Sequence, residues 1–378
     1  MRILHVIDSL DATMGGLPRA ALSLAGAQSQ LGFEVSVLYY SDTRQEAEFD
    51  AAYADIPGIS LVGRLSLIRP SKREWLFGKA ARGRIRAASP HFIHIHGLWE
   101  PLLRNALCEA ARMKVPAVVT PHGMMHPWQD RFCRIRKWIL IRVLGWGKAW
   151  RSCLFARALT PPEARHLEGK GYFPRVEVIP NGVDPDPALS QIEAWPVGIP
   201  PQPYVLGLGR LAFGKGTDLL LEAFLQIAGE FPDLNLVLAG ADYGLQAKLQ
   251  KMAAASGLGH RVIFPGNQPG PQKWRLLRHT QCFCLPSRAE GFGLVLLEAV
   301  MAGVPVVQSD ACWFRELVER GHAVSFGARP EDLAETLRQT LNAPPTQTGG
   351  EFVRTHFSWQ RIARQLQEAI APAENTAF

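Results

Sequence analysis

Two glutamates eight residues apart, Glu290 and Glu298, flank a Gly-Phe-Gly turn within residues 287–298. A short strand pattern precedes this segment, and the residues after the turn have the composition of a helix. Free backbone N–H groups at the start of a helix attract anions. Glu290 lies in the loop before the helix, and we expect Glu298 about two turns inside it, where it reaches past a phosphate to a sugar hydroxyl. The pattern therefore indicates a ligand that carries both phosphate and hydroxyl groups.

A simpler arrangement also satisfies this pattern. An acidic residue near the start of a helix complements the helix dipole, and a glutamate on a following turn is commonly solvated. The segment alone does not distinguish ligand binding from this arrangement.

A second glycine-rich turn, residues 207–217, carries the two cations Arg210 and Lys215. It follows an apolar strand pattern and precedes a helical pattern, for which Thr217 is the expected N-cap. A planar guanidinium and a mobile ammonium together suit a diphosphate. The turn lacks the Lys-Ser/Thr ending of a Walker loop and the glycine spacing of a dinucleotide-binding fingerprint.

A third turn lies near the start of the chain, where Gly15 and Gly16 follow a strand pattern and open a helix running to about Leu31. Paired glycines permit a ligand to approach the backbone closely. A plain turn is the commoner reason for a Gly-Gly pair, and both explanations stay open here.

Four motifs in register resemble those of the retaining family-4 glycosyltransferases, which have the GT-B fold. They are Glu-x7-Glu from Glu290 to Glu298, Gly-Arg-Leu-x-x-x-Lys-Gly in residues 209–216, the N-terminal Gly-Gly loop, and Pro-Asn-Gly-Val-Asp in residues 180–184. Their order and spacing match across nearly the whole chain. The segment Thr-Pro-His-Gly-Met in residues 120–124 is similar to the His-Gly segment that this family places beside the donor sugar, and it contains His122.

The resemblance implies transfer of a hexose from a nucleotide diphosphate sugar to a saccharide acceptor, with retention of configuration and without a metal or other cofactor. Arg210 and Lys215 would hold the diphosphate and stabilise the leaving nucleotide in place of a metal ion. The backbone of Gly16 would approach the same phosphates, while Glu298 would bind the ribose. Glu290 would bind the sugar and phosphate together with three backbone amides, those of Phe292, Gly293 and Leu294.

Residues 309–316 depart from the family pattern. Many relatives carry a glycine pair before the glutamate that is Glu316 here, whereas this chain has bulky residues, among them Trp313 and Phe314. The shape of this loop, and any sugar preference drawn from it, is therefore left open.

The length of 378 residues suits two domains, because a single core rarely grows beyond about 250–300 residues. Short apolar strands alternate with helical stretches, which is typical of an α/β protein with parallel sheets covered on both faces. The resemblance implies two doubly wound Rossmann-like domains facing a central cleft, and the proline-rich stretch 185–203 is the predicted boundary. We expect an acceptor-binding domain over residues 1–190, a nucleotide-sugar-binding domain over 200–355, and a helix and tail over 356–378 that return to the first domain.

The net charge of +7 is concentrated in residues 131–151, which hold seven basic residues and no acidic one. Six apolar residues are predicted to share one helical face: Phe132, Ile135, Ile139, Val143, Trp146 and Trp150. This pattern indicates either a helix lying in an anionic membrane surface or an amphipathic helix packed on the first domain with a solvated basic face. No nucleic-acid recognition motif accompanies the charge, so we expect no nucleic-acid partner.

Histidines and cysteines do not indicate a metal site. His94 and His96 share one face of a short strand, but they would need a third ligand, and no carboxylate is apparent except Glu100. The six cysteines have neither zinc-binding spacing nor the density of a disulfide scaffold. We therefore expect no metal.

The sequence contains no run of about 20 apolar residues and no signal peptide pattern, so we expect a cytoplasmic protein, peripheral on the inner face of the cell membrane. The expected acceptor is a lipid-linked or other oligosaccharide, in the assembly of cell-surface polysaccharide or lipopolysaccharide. Two other functions stay open from the sequence: a non-catalytic sensor of nucleotide sugars, and a basic membrane-surface adaptor.

Overall fold

The structure, a computed structural model, describes residues 1–41, 49–50, 52–68, 78–183, 194–268, 270–327, 329–344 and 349–374. The chain divides into two compact units. The first unit comprises Met1–Gly182 with Phe357–Phe378, and the second comprises Val183–His356. Asp184 of the Pro-Asn-Gly-Val-Asp motif lies outside the described residues. So do residues 185–193 of the predicted boundary stretch 185–203.

The first unit contains a seven-stranded parallel sheet in the order β3-β2-β1-β4-β5-β6-β7. The strands are β1 Arg2–Ser9, β2 Glu34–Ser41, β3 Gly63–Ile68, β4 Phe92–His96, β5 Ala117–Thr120, β6 Phe155–Ala158 and β7 Val176–Val178. Strands β4, β5 and β6 are buried at every residue, as expected for a parallel sheet covered on both faces. The polar side chains within these strands, including His94, His96 and Arg157, are therefore buried as well.

Helices cover this sheet. They are α1 Gly16–Gln30, α2 Lys79–Ala88, α3 Pro101–Met113, α4 Pro127–Asp130, α5 Arg134–Arg142, α6 Trp146–Trp150 and α7 Pro161–Lys170. Proline at the first turn opens α3, α4 and α7, where its missing N–H leaves no helical hydrogen bond unmade. The core beneath them is built from apolar residues of the strands and of the covering helices, among them Trp146 and Trp150.

The second unit contains a six-stranded parallel sheet in the order β10-β9-β8-β11-β12-β13. Its strands are β8 Tyr204–Leu208, β9 Asn235–Ala239, β10 Val262–Ile263, β11 Cys282–Leu285, β12 Val306–Ser309 and β13 Val324–Phe326. Its helices are α8 Thr217–Ile227, α9 Gln246–Ala255, α10 Pro271–His279, α11 Leu294–Ala302, α12 Glu316–Glu319, α13 Pro330–Asn342 and α14 Gly349–His356. The last helix of the chain, α15 Trp359–Glu374, belongs to the first unit and packs against α1.

Both sheets have a point at which the strand order reverses. In the first unit this point lies between β1 and β4, and in the second it lies between β8 and β11. Open α/β sheets bind ligands beyond the carboxyl ends of the strands at such points. In the second unit the loops that leave β8 and β11 carry Arg210, Lys215 and Glu290. The topology therefore places these three residues beyond the same edge of the second sheet.

The basic segment 131–151 is not the single amphipathic helix that its pattern predicts. Positive φ angles at Cys133 (56°) and Gly145 (81°) separate α5 from its neighbours. Four of the six apolar residues assigned to one face are exposed, with Ile135 at 77% exposure, whereas Trp146 and Trp150 are buried. The predicted common face is therefore wrong, because the chain changes direction before the two tryptophans. No helix among the described residues has both the length and the apolar character needed to cross a membrane.

Candidate functional site

The loops after β8 and β11 meet in the second unit through an ion pair. Lys215 Nζ donates to Glu290 Oε2 at 2.5 Å, and both side chains are mostly shielded from solvent. Lys215 ends the short 3-10 turn Phe213–Lys215, which holds it at a fixed position after the strand. The two residues that the sequence analysis assigned to phosphate and sugar are thus direct neighbours.

Two further features hold these loops together. Arg288 makes a bidentate ion pair with Asp218, at 2.7 and 2.9 Å, and also donates to the carbonyl of Phe213 at 2.7 Å. Gly216 has φ +65°, and a Cβ at this position would lie 1.9 Å from the carbonyl oxygen of Pro286. Only glycine permits this approach.

Thr217 is not the N-cap of the helix that follows, as the sequence pattern predicted. Helix α8 begins at Thr217 itself, and the left-handed residue Gly216 occupies the cap position. The glycine is needed there for the loop contact, so the threonine is displaced by one residue into the first helical turn.

The start of α11 presents backbone amides. Gly293 has φ 75° and precedes the first helical residue, Leu294. The amides of Phe292, Gly293 and Leu294 have no hydrogen-bond acceptor among the described residues. The side chain of Phe292 is buried and stacks on Phe314 at 4.4 Å between ring centroids. The turn is therefore anchored by its aromatic residue while its N–H groups remain able to bind an anion.

Glu298 is the fifth residue of α11, so it lies about one turn inside the helix and not about two turns as predicted. Glu298 is only 7% exposed, and its carboxylate accepts a hydrogen bond from Lys273 Nζ at 2.5 Å. Lys273 belongs to α10 and was not identified from the sequence. The ion pair compensates the burial of both charges and orients the carboxylate.

Arg210 occupies a separate position in the same unit. Its guanidinium lies over the ring of Tyr243, 5.2 Å from the centroid. A planar guanidinium stacked in this way is held by the aromatic face and keeps its donors available at its edges. The structure thus places Arg210 in the loop after β8 without pairing it directly with Glu290.

The remaining two predicted residues, Gly16 and His122, lie in the first unit. Gly16 is the first residue of α1, directly after Gly15, whose φ of 90° and ψ of −142° suit only glycine. His122 follows β5 and has a left-handed backbone, with φ 53°. Such a backbone angle is uncommon for a residue other than glycine and must be held by its surroundings.

A buried glutamate holds the backbone beside His122. Glu163 accepts one hydrogen bond from the amide of Gly123 at 2.7 Å and another from the amide of Leu159 at 2.8 Å. Burial raises the pKa of Glu163, and the two backbone N–H groups and Arg157 act in the opposite direction. Glu163 was not identified from the sequence because its hydrogen-bond partners lie on other elements.

The ring of His122 begins a chain of buried hydrogen bonds. Its Nε2 lies 3.1 Å from His96 Nδ1, the Nε2 of His96 lies 2.8 Å from His5 Nδ1, and the Nε2 of His5 lies 2.7 Å from Gln28 Oε1. Burial lowers the pKa of His5 to about 4 and that of His122 to about 3, with Arg157 adding to the effect. The pKa of His96 is also held well below its usual value, first by burial and then by its neighbours.

The stated reason for expecting no metal, the lack of a third ligand, is wrong. His5, on β1, offers a ring nitrogen within 4.8 Å of those of His94 and His96. Two nitrogen ligands of a tetrahedral zinc ion, each about 2.0–2.1 Å from the metal, lie roughly 3.4 Å apart. The separation of 2.8 Å between His5 Nδ1 and His96 Nε2 is shorter and fits a direct hydrogen bond.

The first unit also contains a pocket of about 250 Å³ beside α5. Ten residues line it: Trp99, Met125, Asp130, Arg134, Lys137, Trp138, Ile141, Arg142, Lys170 and Tyr172. Four of them are cations, three are aromatic and one is acidic. Asp130 accepts from Lys170 at 2.7 Å and from Lys137 at 3.4 Å, and Lys137 also lies 5.1 Å from the ring of Trp99. Cations beside aromatic faces can bind an anionic group next to a sugar ring.

The architecture and the family models together define the class of protein. Two parallel α/β sheets, each with a glycine-containing turn beyond its strand ends, are the elements of the GT-B fold. The sequence model of the family described as glycosyl transferases group 1 matches residues 191–349, and that of glycosyltransferase family 4 matches residues 14–187. The chain belongs to the family-4 glycosyltransferases of the GT-B fold.

Curated relatives agree with this assignment. The chain is 26% identical over 372 residues to the GDP-mannose:cellobiosyl-diphosphopolyprenol alpha-mannosyltransferase of Xanthomonas campestris, covering 93% of this chain and 89% of that protein. It is 35% identical over 153 residues to the lipopolysaccharide core biosynthesis mannosyltransferase LpsB of Rhizobium meliloti. That second match covers 38% of this chain and spans less than half, 43%, of the relative.

Solved structures share the fold. Anabaena HepE, crystallised with UDP and glucose, superimposes with a TM-score of 0.75 at 20% sequence identity, covering 98% of this chain and all of that one. The sucrose-phosphate synthase of Thermosynechococcus elongatus gives a TM-score of 0.74 at 17% identity over the full length of both chains. At these identities the likeness establishes the fold.

Proposed function

We propose that this glycosyltransferase moves a hexose from a nucleoside diphosphate sugar to a saccharide acceptor, with retention of configuration. The observation that carries the proposal is the pairing of Lys215 with Glu290 beside the open amides at the start of α11. A cation, a carboxylate and a set of N–H donors together suit a ligand that has a diphosphate joined to a sugar.

In this proposal the second unit binds the donor. Lys215 and Arg210 neutralise the charge that develops on the leaving diphosphate, which removes the need for a metal ion. Glu290 and the amides at the start of α11 bind the sugar and its phosphate. Glu298 binds the ribose hydroxyls, and Lys273 keeps its carboxylate in position.

No side chain has to act as a covalent nucleophile. Retention follows if the acceptor attacks the face from which the nucleotide leaves, with a phosphate oxygen of the donor taking the acceptor proton. The protein then contributes positioning and electrostatic stabilisation of the leaving group.

The names of the relatives favour mannose as the hexose, since the Xanthomonas enzyme is named for GDP-mannose as its donor. HepE, in contrast, was crystallised with UDP. Binding measurements with both GDP and UDP therefore decide which base the donor nucleotide carries.

We propose the pocket beside α5 as the place where an anionic acceptor binds. Its cations suit a phosphate or diphosphate, and its three aromatic side chains suit a sugar face or an isoprenoid. The Xanthomonas relative is named for a diphosphopolyprenol-linked saccharide, which is an acceptor of this chemistry. A lipid-linked saccharide used in polysaccharide or lipopolysaccharide assembly fits both observations.

Transfer assays test the catalytic proposal. Arg210→Ala and Lys215→Ala should each lower turnover of the donor by about 10- to 1,000-fold, the range expected for one charged transition-state contact. Lys248→Ala, which removes an exposed lysine from α9 of the same unit, should leave turnover unchanged. EDTA should also have little effect, whereas a requirement for a divalent ion would contradict the role given to the two cations. Binding without any product would instead indicate a sensor.

We also propose that α5 docks on an anionic membrane. Its exposed apolar residues include Ile135 and Ile139, and cations adjoin them on the same short helix. Apolar contact with lipid and about 1 kcal/mol for each nearby cation can together hold a protein at a surface.

Sedimentation with anionic vesicles tests this docking. Replacing Ile135 and Ile139 together by serine should release the protein, and rising salt should weaken binding of the unchanged protein. Val197→Ser, which removes an exposed apolar residue from the second unit, is the matched control. If the double variant sediments as the unchanged protein does, α5 does not dock on the membrane.

A further inference from the structure

We propose that a buried hydrogen-bond chain fixes the tautomer of His122, so that this residue presents a bare Nδ1 as a hydrogen-bond acceptor. The chain runs from His122 through His96 and His5 to Gln28. The group that donates to this bare nitrogen is a hydroxyl of a sugar substrate. This last step rests on the proposed function, which is the transfer of a sugar.

All the imidazoles in the chain are neutral near pH 7. His5 and His96 are completely buried, and burial is the main cause that holds the pKa of each ring low, with Arg157 acting in the same direction. The neighbouring rings add to this effect at His96, whereas the hydrogen bond with Gln28 opposes it at His5. His122 is partly exposed, and its pKa is lowered by burial and by Arg157. A neutral imidazole has one N–H and one bare nitrogen, so each ring donates on one side and accepts on the other.

The direction of the chain follows from its buried end. Gln28 Oε1 lies 2.7 Å from His5 Nε2, whereas Gln28 Nε2 is buried without a hydrogen-bond partner among the described residues. With Oε1 assigned as the acceptor, His5 Nε2 carries the hydrogen and His5 Nδ1 is bare. His5 Nδ1 then accepts from His96 Nε2, and His96 Nδ1 accepts from His122 Nε2. The remaining nitrogen of His122, Nδ1, is left without a hydrogen.

The backbone is fixed as well as the ring. The left-handed φ of His122 is held by the hydrogen bond from the amide of Gly123 to Glu163. The hydrogen bond to Glu163 thus fixes the position of His122 Nδ1, and the chain to Gln28 makes this nitrogen a hydrogen-bond acceptor. Gln28, His5 and His96 are in this account positioning residues, since none of them has to touch the substrate.

His94 supplies a matched control within the same cluster. It lies two residues before His96 on β4, is completely buried, and stacks on His96 at 4.2 Å. Its Nε2, however, lies 2.7 Å from Thr120 Oγ1, outside the chain to His122. A change at His94 therefore disturbs the packing of the cluster without breaking the chain.

The test is long-range ¹H–¹⁵N NMR of the full-length protein with labelled histidine, because protonated and bare ring nitrogens resonate in separate regions. The unchanged protein should show His122 with a protonated Nε2 and a bare Nδ1, the signal being assigned with His122→Asn. Gln28→Glu keeps oxygens that accept and should leave this tautomer in place. Gln28→Leu removes the acceptor and should give a mixture of His122 tautomers, whereas His94→Gln should not.

Turnover provides the second readout. Gln28→Leu should lower kcat by about tenfold, the factor that one neutral hydrogen bond is worth, and Gln28→Glu should restore it. Four results would overturn the inference: a protonated Nδ1 on His122, a tautomer unaffected by Gln28→Leu, stoichiometric zinc in the purified protein, or an altered tautomer with unchanged kcat. If instead Lys215→Ala and Arg210→Ala turn over normally, the proposed donor site fails, while the NMR result still decides the tautomer.

Discussion

The substitution Gly216→Ala tests whether contact between the two loops of the second unit creates the donor site. Two effects act at Gly216. A left-handed backbone costs an alanine about 1–2 kcal/mol. In addition, the new Cβ would lie 1.9 Å from the carbonyl oxygen of Pro286, so the loops have to separate by about 1 Å, which costs a further 1–3 kcal/mol, on the order expected for overpacking.

Gly257→Ala isolates the first effect. Gly257 has φ +75°, but nothing lies within 4 Å of the position that a Cβ would occupy. This variant should therefore lose only about 1–2 kcal/mol in the free energy of unfolding and keep its turnover. Gly216→Ala should lose about 2–5 kcal/mol and, because Lys215 moves away from Glu290, about 100-fold in turnover.

Urea unfolding and a donor turnover assay at saturating acceptor measure the two quantities on the same preparations. If Gly216→Ala behaves as Gly257→Ala does in both assays, the close approach of the loops has no part in forming the site, and the role given to the Lys215–Glu290 pair is refuted.

Two further predictions concern pH and the second ion pair. Lowering the pH from 7 towards 4 should reduce the free energy of unfolding. The reason is that His5 takes up a proton near the usual histidine pKa of about 6.5 in the unfolded chain, but only near about 4 in the folded protein. His5 alone then contributes roughly 3 kcal/mol to the free energy of unfolding at pH 7, and this contribution is fully lost below about pH 4. Urea unfolding between pH 7 and 5 should show a shallower slope for His5→Asn, and equal slopes would contradict the pKa. Lys273→Met should weaken nucleotide binding, because it leaves Glu298 buried without its partner. Lys251→Met, on the exposed face of α9, is the control and should not weaken it. Calorimetric titration measures the nucleotide affinity of both variants.

The elements that carry the proposed donor site could be predicted from the sequence because their signals are local. The glycine-rich turn with Lys215 and the turn before α11 each follow an apolar strand, and parallel strands bring their carboxyl ends to one edge. The pairing of Lys215 with Glu290 fits this rule, although the two residues are 75 positions apart.

Other parts of the site depend on contacts that no local pattern records. Lys273 reaches Glu298 because α10 packs beside α11, and His5 joins the histidine cluster because β1 pairs with β4 in a register that sets His5 opposite His94. The break at Cys133 was missed since a non-glycine residue with positive φ has no sequence signal. Long-range packing therefore decides which residues complete a site whose location the sequence already indicates.

The most direct test of the donor site is a calorimetric titration of GDP and UDP into the unchanged protein, Glu298→Ala and Glu290→Ala. We expect one of the two nucleoside diphosphates to bind the unchanged protein. Glu298→Ala should weaken this binding, because the ribose contact is lost. Glu290→Ala should bind the nucleotide nearly normally but fail in sugar transfer. Equal nucleotide affinity in the unchanged protein and Glu298→Ala would contradict the ribose assignment, and no binding of either nucleotide would contradict the donor site itself.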